Sequence, residues 1–209
     1  MSYLREMAEQ GYSPDTIGPF YRHMHPWLLR KSGVGVDETV LDIGAGQGHG
    51  LLPLHSAGWR HLIALDRDDE NFDLFGRRFG IATLRCDIGT ERIELPDGGI
   101  GAILCFHLVE HLLDPTNLLS ESRRVLKKGG KLFLVSPDWR KQMRTFWRDP
   151  THLHPYDKES IARLLRMHDF NCAVHSWGPR YGFGRIQAYR WIPEIGMIGV
   201  DMLAVGTAI

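Results

Sequence analysis

The chain has 209 residues, with Lys+Arg and Asp+Glu both at 25 and a formal charge of zero. At this length a single domain buries about 70% of the surface its unfolded chain exposes, so disulfide or metal staples are not required. A hydrophobic share of 43% with 24% charged residues sets aside disorder and fibrous folds, and zero net charge removes the general attraction to nucleic-acid backbones.

Residues 1–36 read as a mainly helical cover, broken by Gly11, Pro14, Gly18 and Pro19 before FYRHMHPWLLRKSG. Its opening, MSYLREMAEQGY, has no apolar run of the secretory kind, so a soluble cytoplasmic protein is expected. From residue 37 the pattern becomes apolar strands alternating with helical segments: TVLDI (39–43), HLIAL (61–65), IATLR (81–85), IGAILCF (100–106) and KLFLVS (131–136). Near-continuous apolar runs suit a parallel sheet covered on both faces. The helix before the fifth strand is capped by Asp114, carries Leu118, Leu119, Val125 and Leu126 on one stripe, and is stopped by Gly129-Gly130. Beyond Pro137 a stretch to about residue 157 loses its periodicity and reads as an insertion over the sheet. A helix capped by Asp157 follows, with Ile161, Leu164, Leu165 and His168 on its face, then strands over 171–177 and 201–208. The tail 192–209 is too interrupted by Glu194, Asp201 and glycines to span a bilayer, so no membrane partner is expected. Cys86, Cys105 and Cys172 are odd in number and lack CxxC spacing, which argues against disulfides and a Cys-rich metal site.

The sharpest local signal is VLDIGAGQGHG, residues 40–50, at a strand end and a helix start. Glycines there admit a ligand close to the main chain, and the helix start offers free N–H groups. A dinucleotide GxGxxG is incomplete in either register, since His49 or Leu51 stands in the third place, and no GKS or GKT follows. Asp66 closes the next strand and is placed to accept two ribose hydroxyls. Asp87 closes the third, in RCDIG, and is placed to receive an adenine amine.

With this series the chain resembles the class I S-adenosylmethionine-dependent methyltransferases of the small-molecule, type 11/12-like branch, over residues 37–137. The resemblance rests on VLDIGAGQG, ALDRD, RCDI, FHLVEHLLDP and RVLKKGGKLFLVSP; Lys128 replaces a usual proline. It implies a Rossmann-like, doubly wound, seven-stranded α/β sheet, mostly parallel with the last strand antiparallel, in a domain over 37–209. It implies S-adenosyl-L-methionine as cofactor. Gly44, Ala45, Gly46 and Gly48 would line its methionine end with Asp42 supporting the loop, Asp66 would hold the ribose beside Arg67, Asp87 and the Ile88 main chain would read the adenine, and Phe106 would face the methionine moiety.

The acceptor is expected to be a small molecule, with a hydroxyl favoured over an amine and nucleic acid disfavoured. His107, ending the fourth strand, is the first candidate for a base, with His152 second. DPTHLHPY (149–156) resembles a segment of methyltransferases acting on sugars and secondary metabolites, and Trp147, Arg148, His154 and Tyr156, with Tyr21 from the N-terminal cover, are candidate acceptor contacts. The alternative for that segment is a rigid turn set by Pro150 and Pro155. HLVEH (107–111) has an inverted zinc-protease spacing, but it follows directly on a strand and breaks at Asp114-Pro115, so no metal is expected. SPDW (136–139) has the form of a base-flipping tetrapeptide, but it follows the fifth strand rather than the fourth. The competing readings are an NAD(P)-dependent oxidoreductase and a non-catalytic cofactor-binding relative.

Overall fold

The computed structural model describes residues 17–178 and 199–209. Seven strands form one sheet: β1 (Val40–Ile43), β2 (Leu62–Asp66), β3 (Ala82–Arg85), β4 (Ile100–Phe106), β5 (Leu126–Pro137), β6 (Phe170–Trp177) and β7 (Asp201–Ala208). Their order is β3-β2-β1-β4-β5-β7-β6. β1 pairs in parallel with β2 and with β4, Val40 standing opposite Leu62 on one side and Ala102 on the other. β7 runs antiparallel to both β5 and β6. This is the expected doubly wound sheet with its last strand reversed.

The period-two direction of strand side chains builds two cores from the same strands. Val40, Ala102, Leu104, Phe133 and Val135 face one side, where they meet Met24, Leu28 and Leu29 of α1 (Pro19–Lys31) and Leu51 and Leu54 of α2 (Leu51–Ser56). Leu41, Ile103, Cys105, Leu132 and Leu134 face the other, against Leu118 and Leu119 of α3 (Thr116–Val125) and Ile161 and Leu165 of α4 (Lys158–Met167). All three cysteines are free thiols. Of the N-terminal cover, residues 1–16 lie outside the described part; α1 packs into the first core through its buried face. Among the described residues no helix is long and apolar enough to cross a membrane.

The helix before β5 ends earlier than its sequence suggests. It stops at Val125, and Leu126 is already extended and paired with Ile100. The register then jumps to Ala102 opposite Lys131, so residues 127–130 are accommodated as an irregularity at the start of the strand, with Gly129 at φ +76°. A glycine pair written as a helix stop therefore serves a bulge. Asp114 does act at the helix start, accepting from Thr116 N at 2.9 Å.

α4 begins as expected at Asp157, whose carboxylate accepts from Ser160 N at 2.8 Å while Ser160 Oγ receives the Asp157 N–H at 2.8 Å. Arg140 Nε adds a 2.6 Å bond to Asp157 Oδ2. The Ser160 N–H outweighs the cost of burial and, with Arg140, pulls the Asp157 carboxyl down to about 2. A depressed carboxyl stabilises the fold above its unfolded value of 3.8 and loses that contribution as pH falls toward 2. Asp157→Ala should cost about 1–2 kcal/mol at pH 7, with the deficit shrinking between pH 4 and pH 2, measured by urea unfolding across that range.

Candidate functional site

At the carboxyl end of β1 the chain turns through Gly44, Gly46 and Gly48, at φ +77°, +48° and +79°. These are left-handed values that side-chain-bearing residues seldom take. Space is as tight as torsion. A Cβ on Gly48 would come within 2.6 Å of the Phe75 ring, and one on Gly50 within 2.4 Å of Asp42 Oδ2. The loop is held from below by Gly44 N donating to Leu65 O at 2.8 Å. From the side, Gly46 N donates to Asp66 Oδ2 at 2.9 Å and Asn71 Nδ2 donates to Gly46 O at 2.9 Å.

Two cavities open beside this loop. The smaller, about 310 Å³, lies over the ends of β2 and β3 and is walled by Asp66, Arg67, Asp87, Ile88 and Leu108. Asp66 Oδ1 accepts from Asp68 N at 3.1 Å, so each Asp66 oxygen spends one acceptor site on the main chain and keeps capacity for a hydroxyl. Asp87 is exposed, with Oδ1 accepting from Gly89 N at 3.0 Å, while Ile88 is buried. The larger cavity, about 450 Å³, lies over β1, β4 and β5 and is walled by Asp42, Ala45, Phe106, Tyr21, His25 and His152 among others. Gly44, Gly46, His107 and His111 line both. The pair suits an adenosyl ligand: an apolar slot with two carboxylates, then a bare main-chain rim opening into a wider chamber.

Most of the expected cofactor residues therefore meet at one place. Gly48 instead sits beneath the loop against Phe75. On the acceptor side fewer of the expected residues line a cavity. Tyr21 and His152 line the chamber, whereas Trp147, Arg148, His154 and Tyr156 line neither cavity. Trp147 is 59% exposed, His154 Nε2 is bonded to Leu113 O at 3.1 Å, and Tyr156 packs on the second core. The cause is the path of the segment: Leu153 N and His154 N both donate to Glu110 O, at 2.8 and 3.2 Å, which turns His152 inward and its neighbours away. The chamber is completed by Asp149, which lies inside the marked DPTHLHPY segment but was not singled out, and by Gln142, Trp177 and Asp201, which no local motif marked. Gln142 Nε2 donates to Asp201 Oδ1 at 2.8 Å, closing the wall between β5 and β7.

Burial sets the charges of this wall. His25 is buried beside Phe106, ring centroids 4.9 Å apart. Desolvation outweighs its bonds to the Gly50 and His49 main chain and brings it down to about 4, a neutral imidazole. His107 has a positive φ of 52°, uncommon for a non-glycine residue, and donates its N–H to Val135 O at 2.8 Å. Its Nδ1 is 3.5 Å from Glu110 Oε1 and its Nε2 is 4.0 Å from Asp201 Oδ2. Desolvation opposes its charge, but Glu110 and Asp201 prevail and raise it to about 9. Asp42 is buried, and desolvation, helped by the Asp66 charge, pushes it up to about 8.

A family model described as a methyltransferase domain matches residues 4–175. An uncharacterized methyltransferase, YcgJ, of Bacillus subtilis is 30% identical over 112 residues, covering 52% of this chain and 44% of that protein. A probable S-adenosylmethionine-dependent methyltransferase of Mycolicibacterium smegmatis is 34% identical over 97 residues, 46% of this chain and 37% of that protein. The chain thus spans about two fifths of the length of these relatives. In fold, it is similar to a SAM-dependent methyltransferase from Archaeoglobus fulgidus, with a TM-score of 0.70 and 20% identity over 99% of this chain and 100% of that one.

The raised Asp42 carboxyl gives a stability signature. Between pH 3.8 and about 8 the folded chain keeps a proton that the unfolded chain has lost, so stability falls as pH rises across that window. Asp42→Asn should remove this dependence. Its Tm relative to the native protein should climb by several degrees from pH 4 to pH 8, as read by thermal unfolding without ligand.

Proposed function

The chain belongs to the methyltransferase-domain family, and from that premise we propose that it moves a methyl group from S-adenosylmethionine to a small molecule, at a hydroxyl in preference to an amine. The observation that carries this reading is the pair of adjoining cavities that share Gly44, Gly46, His107 and His111 in their walls. The cofactor supplies a methyl carbon already activated by a sulfonium charge.

The chain's own residues bind, orient and exclude water. Gly44 and Gly46 bring main chain within reach of the methionine end, because no Cβ stands between ligand and loop. Asp66 receives the ribose hydroxyls beside Arg67, and Asp87 with the Ile88 main chain reads the adenine edge. Phe106 and His25 make the inner face of the acceptor chamber dry, and α1 covers it through Tyr21. A dry, shaped chamber matters because displacement at carbon requires the acceptor atom in line at about 3 Å with water excluded. His107 and His152 face the acceptor from the β4 end and from the 149–156 segment. A hydroxyl acceptor must shed its proton as it attacks; His107, raised to about 9, takes that proton in its neutral fraction, so turnover rises with pH toward 9.

Calorimetry with S-adenosylhomocysteine tests the cofactor half. Micromolar binding is expected, reduced at least tenfold by Asp66→Ala, and absence of any uptake would sink the assignment. NADH titrated in the same way should give no heat, which separates this reading from an oxidoreductase. For the acceptor half, labelled-methyl transfer to a panel of small hydroxyl and amine compounds is the readout. His107→Ala should lower turnover about 100-fold while S-adenosylhomocysteine affinity stays within threefold, and an unchanged rate would remove His107 from the reaction.

A further inference from the structure

The expectation that HLVEH holds no metal rested on its two histidines failing to share a helix, and they do not share one: His107 ends β4's exit and His111 closes a 3-10 turn over Val109–His111. That turn, however, meets the segment carrying His152. Glu110, His111 and His152 each present a ligand atom within 4.8 Å of the others. Glu110 is fully buried, and neither of its carboxylate oxygens has a hydrogen-bond partner. A buried carboxylate is among the costliest groups in a fold; charged His107, 3.5 Å from Oε1, offsets part of that cost, and a metal cation would offset more.

The two imidazoles are held for the same purpose. His152 Nδ1 is 2.7 Å from Phe146 O, and a carbonyl only accepts, so Nδ1 carries the proton and Nε2 the lone pair. In the neutral ring that lone pair stands 3.9 Å from Asp149 Oδ2, so the two electron-rich atoms could share one positive ion. His111 Nδ1 faces Thr151 O at 3.2 Å and Thr151 Oγ1 at 2.8 Å, while the Thr151 hydroxyl gives its own proton to Asp149 Oδ1 at 2.6 Å. His111 therefore also carries its proton on Nδ1. Oxygen acceptors that fix the non-ligating nitrogen of a histidine are the usual outer shell of a metal site.

We infer that Glu110, His111 and His152, with Asp149 beside them, form a binding site for one divalent first-row transition-metal ion facing the acceptor chamber. Two nitrogens with carboxylate oxygen favour zinc, manganese, iron(II) or cobalt over calcium and magnesium, which prefer all-oxygen sets. All four residues line the 450 Å³ cavity. The role that follows rests on the methyl-transfer reading: the ion takes the acceptor's hydroxyl oxygen as a further ligand and selects hydroxyl-bearing acceptors. The hydroxyl so held would pass its proton to the neutral form of His107, which lines the same cavity, as its oxygen attacks the methyl carbon and the carbon–sulfur bond breaks with its electron pair going to sulfur.

Chelator-stripped, untagged protein of this 209-residue sequence is titrated with Co²⁺, followed by visible absorption, and with Zn²⁺ and Mn²⁺ by calorimetry. One ion per chain is expected, with His152→Ala and Glu110→Gln each weakening binding at least about tenfold and His175→Ala, exposed on β6, leaving it unchanged. His152→Ala keeps the test valid should Glu110→Gln fail to fold by circular dichroism. No uptake of any of the three ions, or uptake unaltered in His152→Ala, overturns the site. S-adenosylhomocysteine calorimetry on the same samples separates the two readings. Cofactor bound without metal overturns only the metal site, whereas metal bound without cofactor overturns methyl transfer and leaves the site standing.

Discussion

Parallel pairing of β1 with β2 on one side and β4 on the other is the constraint from which the rest follows. The chain leaving β1 runs toward β2 on one side and the chain leaving β4 toward β5 on the other, so the segments at their carboxyl ends part and a crevice opens between them. VLDIGAGQGHG is the segment that leaves first. Its glycines answer a geometric demand: the chain must turn at once, through left-handed torsions, with Phe75 and the buried Asp42 already occupying the space a side chain would need. The Asp66 side chain, at the end of the neighbouring strand, then fixes the height of the loop through Gly46.

Three ionisable groups within this crevice are driven apart by their surroundings. His25 lies among the rings of Tyr21, Phe106 and Trp177, and desolvation leaves it neutral. His107 has Glu110 and Asp201 around it and is driven the other way. Asp42, buried near the Asp66 charge, holds a proton to about 8. The same low-polarity wall thus supports a neutral imidazole, a charged one and a protonated carboxyl within one chamber, which is the kind of separation acid–base chemistry at neutral pH requires. The acid carrying the most weight is Glu110, whose carbonyl sets the path of residues 153 and 154 while its carboxylate faces the histidines that this path delivers.

How much of this could be read along the chain depends on distance in sequence. The strands, the glycine loop and the acids at the ends of β2 and β3 were legible, because each is a short segment whose own pattern suffices: apolar runs for strands, glycine where torsion and space demand it, a carboxylate at or just past a strand end; the reversed β7 came from the family resemblance. The cofactor half of the site is made of such pieces laid side by side by regular strand–helix alternation. What misled was equally local. Gly129-Gly130 reads as a helix stop and is a bulge, because pairing of Leu126 with Ile100 claims the chain one turn early.

The acceptor half was decided only by tertiary structure. No spacing tells that Asp201, on the last strand, will stand across from His107, or that Gln142 and Trp177 will close the same wall. Composition marked DPTHLHPY as a wall but could not say which of its side chains turn inward, since that is settled by two main-chain bonds to Glu110 about forty residues away in the chain. Sequence determines what each strand end carries, because backbone torsion and burial act over a few residues. Which ends face one another is fixed by the packing of the whole sheet, and the grouping of Glu110, His111 and His152 comes into being only there.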